Sequence, residues 1–404
     1  MSTSLLYHGF GVRGYKYQST EYKEGTTFFT VTQDRLSLRC SQCNSRDVIC
    51  KGTNDRELRA VPIGGKKVYI HIAVQRILCL CCGLLRQVKL KFAEERLSYT
   101  RSFERYALEL CRCMTIQDVA KHLAISWDVI KDIQKRHLQR RFCRPRLSDI
   151  QNLAIDEICI GKGHKYVTIV LDLSSGAVVY VGDGKGTDAL KLFWRRLLRS
   201  GAQIQAVAID MSPSYIAAVS ENLPTAAIVF DHFHIIKLFN DKLSDFRRHL
   251  YYTLTTEAGK KLLKGTRWLL LKNPENLDAS KNEQARLQEA LQVNQPLAIV
   301  YYMKEDLRTL WSYPDKVSAE RFLDDWIARA TVSGIRMLKK FAKTLQNHRS
   351  GILAWYDHCI STGPLEGTNN KIKTMKRQAY GFRDIEFFKL KIMALHETKY
   401  ALVG

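Results

Sequence analysis

Leu153-Ala-Ile-Asp156, Ala206-Val-Ala-Ile-Asp210 and Ala227-Ile-Val-Phe-Asp231 are three short apolar runs, each stopped by an aspartate. A β-branched run buried on both faces and ended by Asp suits a strand that leaves the core and presents its carboxylate at the sheet edge. One such run is ordinary, because Asp often caps a helix or opens a turn. Around these runs, residues 151–159, 165–173 and 177–183 read as a strand meander. Thr187 to Ser200 follows as a crossover helix, with Leu190, Leu192, Phe193 and Leu197 expected on its inner face. Met211-Ser-Pro-Ser-Tyr turns into a short helix, since Pro213 is tolerated in a first turn. Asp231-His-Phe-His234 then opens a long amphipathic helix expected to run through Phe246.

Far downstream, Gly363-Pro-Leu-Glu366-Gly-Thr-Asn-Asn-Lys371 sets a glutamate on a basic helix. Carboxylates gathered from distant segments repel unless a cation neutralises them, so Asp156, Asp210 and Glu366 together imply a divalent metal, Mg2+ or Mn2+. Two such ions about 3.5–4 Å apart can activate an attacking oxygen and stabilise a leaving one. The expected core is therefore ribonuclease-H-like, with phosphoryl transfer on DNA as its chemistry. The plain alternative for each Asp is a turn carboxylate, and Glu366 alone is one of many glutamates on basic helices. Glu157, next along its strand, should face the other way. Asp172, Asp183 and Asp188 read as turn or cap residues. Asp231 and His234 lie about one helical turn apart and are auxiliary candidates: they orient a ligand, contact a phosphate, or form a satisfied structural pair.

Composition agrees with a polyanion partner. The chain has 404 residues, more than one hydrophobic core usually serves. Lys and Arg number 63 against 40 Asp and Glu, a net charge of +23 spread along the whole length. A ribosomal or membrane-surface protein would share that charge. An apolar content of 46% excludes a disordered basic chain, and no apolar run approaches a membrane span. Met1-Ser-Thr-Ser-Leu-Leu-Tyr-His lacks the features of a signal peptide, so cytoplasm is the expected compartment, with the nucleoid when DNA is bound.

Eleven cysteines include the pairs Cys40-x-x-Cys43 and Cys79-x-x-Cys82, a spacing that in a reducing compartment favours metal over disulfide. Two such pairs fold as knuckles around one tetrahedral structural Zn2+ in a ribbon, expected at about 38–90 within an N-terminal region of residues 1–95. Cys81 could replace Cys79 or Cys82, and Cys50 is a weaker spare. Cys111, Cys113, Cys143, Cys159 and Cys359 are expected in the core. Between the pairs, the run from Val68 to Arg76 alternates as a hairpin strand should.

Residues 100–146 read as helix, short turn, helix, with Thr115 and Ser126 as N-caps and Ala120 at the crossing. Trp127, Lys131, Gln134 and Lys135 then lie on the exposed side of a DNA recognition helix. The alternative is a plain helical hairpin. Core residues 148–247 are followed by a polar helical insertion at 248–350, with Trp268, Trp311 and Trp326 as anchors. Residues 351–404 return to the core, and Lys371, Lys373, Lys376 and Arg377 are placed to meet DNA phosphates.

Taken together, Asp156-Glu-Ile-Cys-Ile-Gly-Lys-Gly-His-Lys-Tyr, Asp210-Met-Ser-Pro-Ser-Tyr, Asp231-His-Phe-His, Pro364-Leu-Glu-Gly-Thr-Asn-Asn-Lys-Ile-Lys and Lys376-Arg-Gln-Ala-Tyr-Gly-Phe-Arg383 resemble bacterial insertion-sequence DDE transposases of the ISL-three type. The ribbon followed by helix-turn-helix resembles them too. The resemblance implies a multidomain α/β chain: zinc ribbon, helix-turn-helix, and a ribonuclease-H-like core interrupted by an all-α insertion. It further implies Asp156, Asp210 and Glu366 as catalytic acids, Mg2+ dependence, and binding of double-stranded DNA at the terminal inverted repeats and at the target. A homodimer or higher oligomer on DNA is expected. Thr362 stands where the family usually has Asn, and Ala124 where it has a turn Gly. A transposase-derived DNA-binding regulator with an inert core is the reading from a different class. Its mark would be a lost carboxylate, and all three are present.

Overall fold

The computed structural model describes residues 5–161 and 163–396. Residues 1–4 and 397–404, at the ends of the first and last expected domains, and Lys162 of the Asp156 motif lie outside the described residues. The described residues divide into two units: one of residues up to 143 together with 374–391, and one of residues 144–373 together with those from 392 on.

In the first unit, β1 (Tyr15–Lys23) and β2 (Thr26–Gln33) form one hairpin, and β3 (Val48–Ile63) and β4 (Lys66–Cys79) a longer one. Ile63 pairs with Lys66 across Gly64 and Gly65, whose φ values of +53° and +81° give the two-residue turn that matches strand twist. The order is β1-β2-β4-β3, with β5 (Leu85–Gln87) also on β4. Alternation in β4 buries Val68, Ile70, Ile72 and Val74, the pattern that predicted a hairpin strand.

Three helices follow, Arg101–Leu110, Ile116–Leu123 and Trp127–Phe142. The Thr115 hydroxyl accepts from the Asp118 amide at 3.1 Å, as its N-cap position requires. Ser126 holds the N-cap position of the next helix but makes no side-chain cap bond. Ile116, Val119, Ala120, Leu123, Ile130 and Ile133 close the crossing, and buried Arg59 donates from Nη2 to the Leu123 carbonyl at 3.0 Å. Ala124 takes the left-handed conformation at φ 48°, so that the Ile125 amide reaches the Ala120 carbonyl. A Cβ is unfavourable there. Ala124→Gly is therefore expected to stabilise this unit by about 1 kcal/mol, read as a higher denaturant midpoint. An unchanged or lower midpoint would show that the turn carries no strain.

The second unit is built on β6 (Asn152–Gly161), β7 (Lys165–Asp172), β8 (Val178–Asp183), β9 (Ala206–Ile209) and β10 (Ala227–Phe230). Their order is β10-β9-β6-β7-β8: β6, β7 and β8 run antiparallel in sequence, while β6, β9 and β10 are parallel. Helix Thr187–Ser200 covers the sheet with Leu190, Phe193, Trp194 and Leu197. Leu192, expected inside, is 58% exposed; it sits off the i, i+3, i+4, i+7 stripe that Trp194 completes.

After β10, every regular element among the described residues is helical. Helix His232–Thr253 continues a further two turns beyond the expected end at Phe246, because Leu250 and Tyr251 still pack on the core. Phe239, Trp326 and Phe341 meet edge to face, and the Trp326 indole donates to the Met303 carbonyl at 2.8 Å. Trp326 is thus an anchor and Trp311 is partly buried against the same core. Trp268 is not an anchor: it is 65% exposed, with Arg267 over its ring. Helix Arg349–Leu353 lies so close to β10 that a Cβ on Gly351 would stand 2.5 Å from the Phe230 ring. No helix among the described residues is long and apolar enough to cross a membrane.

Candidate active site and zinc ribbon

Ala154 pairs with Ala208, and Ala208 with Val229, in one row across β6, β9 and β10. Asp156, Asp210 and Asp231 each stand two residues further on. Parallel register therefore brings all three aspartates to one level. Asp210 and Asp231 stand just past the ends of β9 and β10, but Asp156 does not end its strand as expected: β6 runs on to Gly161 because β7 continues to pair with it.

Asp156 is held on both oxygens. Its Oδ1 accepts the Glu157 amide at 2.8 Å, and its Oδ2 accepts Asn369 Nδ2 at 2.9 Å. Burial above all raises its pKa, to about 6 once the Glu157 amide and His234, which lower it, and the Glu157 and Asp210 carboxylates, which raise it, are included. Asp210 is half-buried and accepts the Ser212 amide at 3.0 Å, turning the chain into helix Pro213–Asn222. Glu157 faces away and reaches the Tyr215 hydroxyl, which also meets Thr168 at 3.1 Å.

Asp231 has a different task. It is 2% exposed, caps helix His232–Thr253 by accepting the Phe233 amide at 3.2 Å, and accepts the Thr362 hydroxyl on its other oxygen. Its side-chain partners are Phe233, Thr362 and His232, whose Nδ1 lies 3.3 Å away; the side chain of His234 is not among them. Thr362, the departure from the family pattern, is half of that tie and precedes helix Gly363–Gln378. His234 is half-buried and close enough to Asp156 to act on its charge.

Along helix Gly363–Gln378, Leu365, Thr368, Asn369, Ile372 and Met375 are buried, while Glu366, Asn370, Lys373 and Arg377 form an exposed stripe. Glu366 thus lies one turn before the residue that holds Asp156. Among the described residues, the three expected acids do not close to the 4.8 Å spacing at which ligand atoms form a cluster. Sequence reading missed Asn369; its signal was the i, i+3 spacing from Glu366, which places it one turn on.

The four cysteines do converge. Cys40, Cys43, Cys79 and Cys82 present sulfurs within 4.8 Å of one another, with Cys40–Cys82 at 3.6 Å and Cys43–Cys79 at 3.5 Å. Zn–S bonds of about 2.3 Å put the edges of a tetrahedron near ~3.8 Å, so the set fits zinc. The hairpin explains the meeting, because Val48 at the start of β3 pairs with Cys79 at the end of β4. Each knuckle closes alike: Asn44 and Gly83, both at positive φ, donate to the Cys40 and Cys79 carbonyls at 3.1 and 3.0 Å. The amides of Cys43 and Gln42 lower the Cys40 thiol to about 6, whereas burial and the crowding of the other three sulfurs push the Cys82 thiol up to about 12; four thiols this close do not all ionise without a cation among them. Cys81 and Cys50 are exposed and outside the cluster. Of the five cysteines expected in the core only Cys111 is buried; Cys113, Cys143, Cys159 and Cys359 are exposed, on helix ends, loops and a strand that reach solvent.

On helix Trp127–Phe142, Trp127 is 42% exposed. Lys131 and Lys135 are not free: Asp384 accepts both at 3.1 and 3.0 Å, and Glu386 accepts Lys135 at 2.7 Å. Gln134 is partly buried, with Oε1 lacking a partner. Lys371, Lys373 and Arg377 are exposed and Lys376 is half-buried. Lys376 and Arg377 lie about 15 Å along the helix from Glu366, so only Lys371 and Lys373 adjoin its acidic turn.

A family model described as Transposase matches residues 153–392, the segment from β6 to the last helix. The chain belongs to the ISL3 family of transposases. Further matches give this ISL3 transposase a helix-turn-helix domain of transposase family ISL3 at residues 88–138 and the zinc-finger of transposase IS204/IS1001/IS1096/IS1165 at residues 37–82. The transposase for insertion sequence element IS1001 of Bordetella parapertussis is 34% identical over 390 residues, covering 95% of this chain and 96% of that one. The transposase for insertion sequence element IS1557 of Mycobacterium tuberculosis is 27% identical over 372 residues, covering 85% and 82%. Among solved structures, the Drosophila P element transposase strand transfer complex matches 78% of this ISL3 transposase and 95% of its own chain, at 14% identity and a TM-score of 0.35.

Proposed function

We propose that this transposase binds the terminal inverted repeats of its own insertion sequence and carries out metal-dependent strand cleavage and strand transfer there. The observation that carries the reading is the level row of Asp156 and Asp210 on parallel strands, with Glu366 one turn from the residue bonded to Asp156. The strand order supports a ribonuclease-H-like core, and the helices between β10 and Gly363 support an all-α insertion within it. Oligomerisation on DNA is part of the same proposal.

The donor set fits a hard divalent ion: carboxylate oxygens of Asp156 and Asp210, and beside them a buried Asn369 Oδ1 without a hydrogen-bond partner. Asp156, Asp210 and Glu366 would hold Mg2+ or Mn2+, which when bound supplies charge neutralisation and a more acidic water. The chain's own contribution is position. Glu157 and Asn369 fix Asp156, the Ser212 amide fixes Asp210, and the Thr362–Asp231 tie fixes the start of the Glu366 helix. In the first step a water oxygen bonds to the phosphorus at the element end and the 3′-oxygen leaves as a hydroxyl. In the second that hydroxyl bonds to a target phosphorus, exchanging one P–O bond for another. Incubating a labelled element end with wild-type protein and Mg2+ should yield a nick at the element boundary, and an intact end would count against the proposal.

The exposed stripe Lys373 and Arg377 would meet DNA phosphates, joined by Lys371 and Lys376. Trp127 and Gln134, with Lys131 and Lys135 once released from Asp384, would serve the recognition helix. Each phosphate contact contributes roughly −0.9 to the slope of log affinity against log salt. Replacing Lys373 and Arg377 by Ala should flatten that slope by about 2 and weaken binding to any sequence alike. An unchanged slope would mean that this stripe is only solvated.

A further inference from the structure

Asn369 is 6% exposed and half of its amide is accounted for: Nδ2 donates to Asp156 Oδ2 at 2.9 Å. The other half is not, since Oδ1 is buried and accepts nothing. An amide oxygen shut away from water without a donor is unfavourable, and an apolar side chain of similar shape would avoid that cost. The residue also sits on the buried stripe one turn after Glu366, so a single helix turn carries the proposed third acid and the holder of the first.

We propose that Asn369 is a positioning residue of the metal site: its N–H fixes the Asp156 carboxylate, and its carbonyl oxygen accepts a hydrogen bond from the hydration shell of the divalent ion. This inference rests on the acid assignment made above. A ligand carboxylate that is itself held by a neighbouring donor binds metal more tightly, because its orientation is set in advance. The two ends of the amide suit the two jobs: a donor toward an anion and an acceptor toward water made acidic by a cation.

The test is a Mn2+ titration of the full-length, zinc-loaded protein, with free Mn2+ read by electron paramagnetic resonance. Asn369→Ala and the near-isosteric Asn369→Leu should each weaken Mn2+ binding about 10- to 100-fold. With zinc bound and no Mn2+ added, both should melt within a few degrees of wild type, and cleavage should recover as Mn2+ is raised. Asn369→Leu decides the matter if the alanine variant fails to fold. Wild-type Mn2+ affinity in the Asn369 variants, with binding lost in Asp156→Asn, would overturn the role of Asn369 and leave the acid assignment standing. Unchanged affinity in Asp156→Asn as well would overturn both. Weakened Mn2+ binding in Asn369→Leu accompanied by loss of its cooperative melting transition would reduce Asn369 to a part of the fold and overturn the proposal.

Discussion

Glu366→Gln is expected to lose strand cleavage in Mg2+ by several orders of magnitude while shifting a terminal-repeat probe with near-normal affinity. The substitution keeps size and removes a charge. Glu366 is exposed and bears no packing load, so the helix should survive it. What disappears is the third carboxylate, and in-line displacement depends on the alignment that all three give. Asp156→Asn and Asp210→Asn should behave the same way. Combining any two should add little, because residues that act as one unit do not add. Cleavage of a labelled element end by wild type and variants in parallel is the measurement. Equal cleavage by Glu366→Gln would sink its assignment as the third acid. No cleavage by wild type on genuine repeats would point instead to a DNA-binding regulator.

Zinc removal should have the next largest effect. The four sulfurs already stand at tetrahedral spacing, so purified protein should carry about one Zn2+ per chain. Structural zinc contributes an apparent 10–16 kcal/mol in small zinc-binding peptides, roughly as much as a whole domain's stability. Stripping the ion, or Cys43→Ser, should unfold the ribbon and open the far end of the β3–β4 hairpin. The second unit has its own core and should keep its melting transition. The check is metal analysis alongside circular dichroism. Protein purified without chelator and found free of zinc would remove the assignment.

Much of this was readable in advance, for identifiable reasons. Strands β6, β7 and β8 and helix Thr187–Ser200 fall where apolar runs, turn residues and periodicity placed them, since local sequence decides such elements. The cysteine spacing named its cluster for the same reason. What escaped was pairing over long distances. Lys131 and Lys135 looked free on a helix surface, yet their acid, Asp384, lies 249 residues from Lys135. Asn369 looked like one polar residue among several until the fold brought it to Asp156. Leu192 and Trp194 differ only in angle around a helix, and hydrophobicity alone misjudged which turned inward. Trp268 was misjudged on the same ground.

The Asn369–Asp156 bond also sets a clock. Its partners are 213 residues apart in the chain. At roughly 5–20 residues per second, a ribosome needs about 10–40 s to travel from one to the other. Ribbon, helix-turn-helix and all three strand aspartates leave the ribosome before the helix that carries Glu366 and Asn369. During that interval the newborn chain holds its helix-turn-helix and lacks the helix that carries Glu366 and Asn369, so if the proposed acids do the cutting, the order of synthesis itself delays the moment at which a strand can be broken.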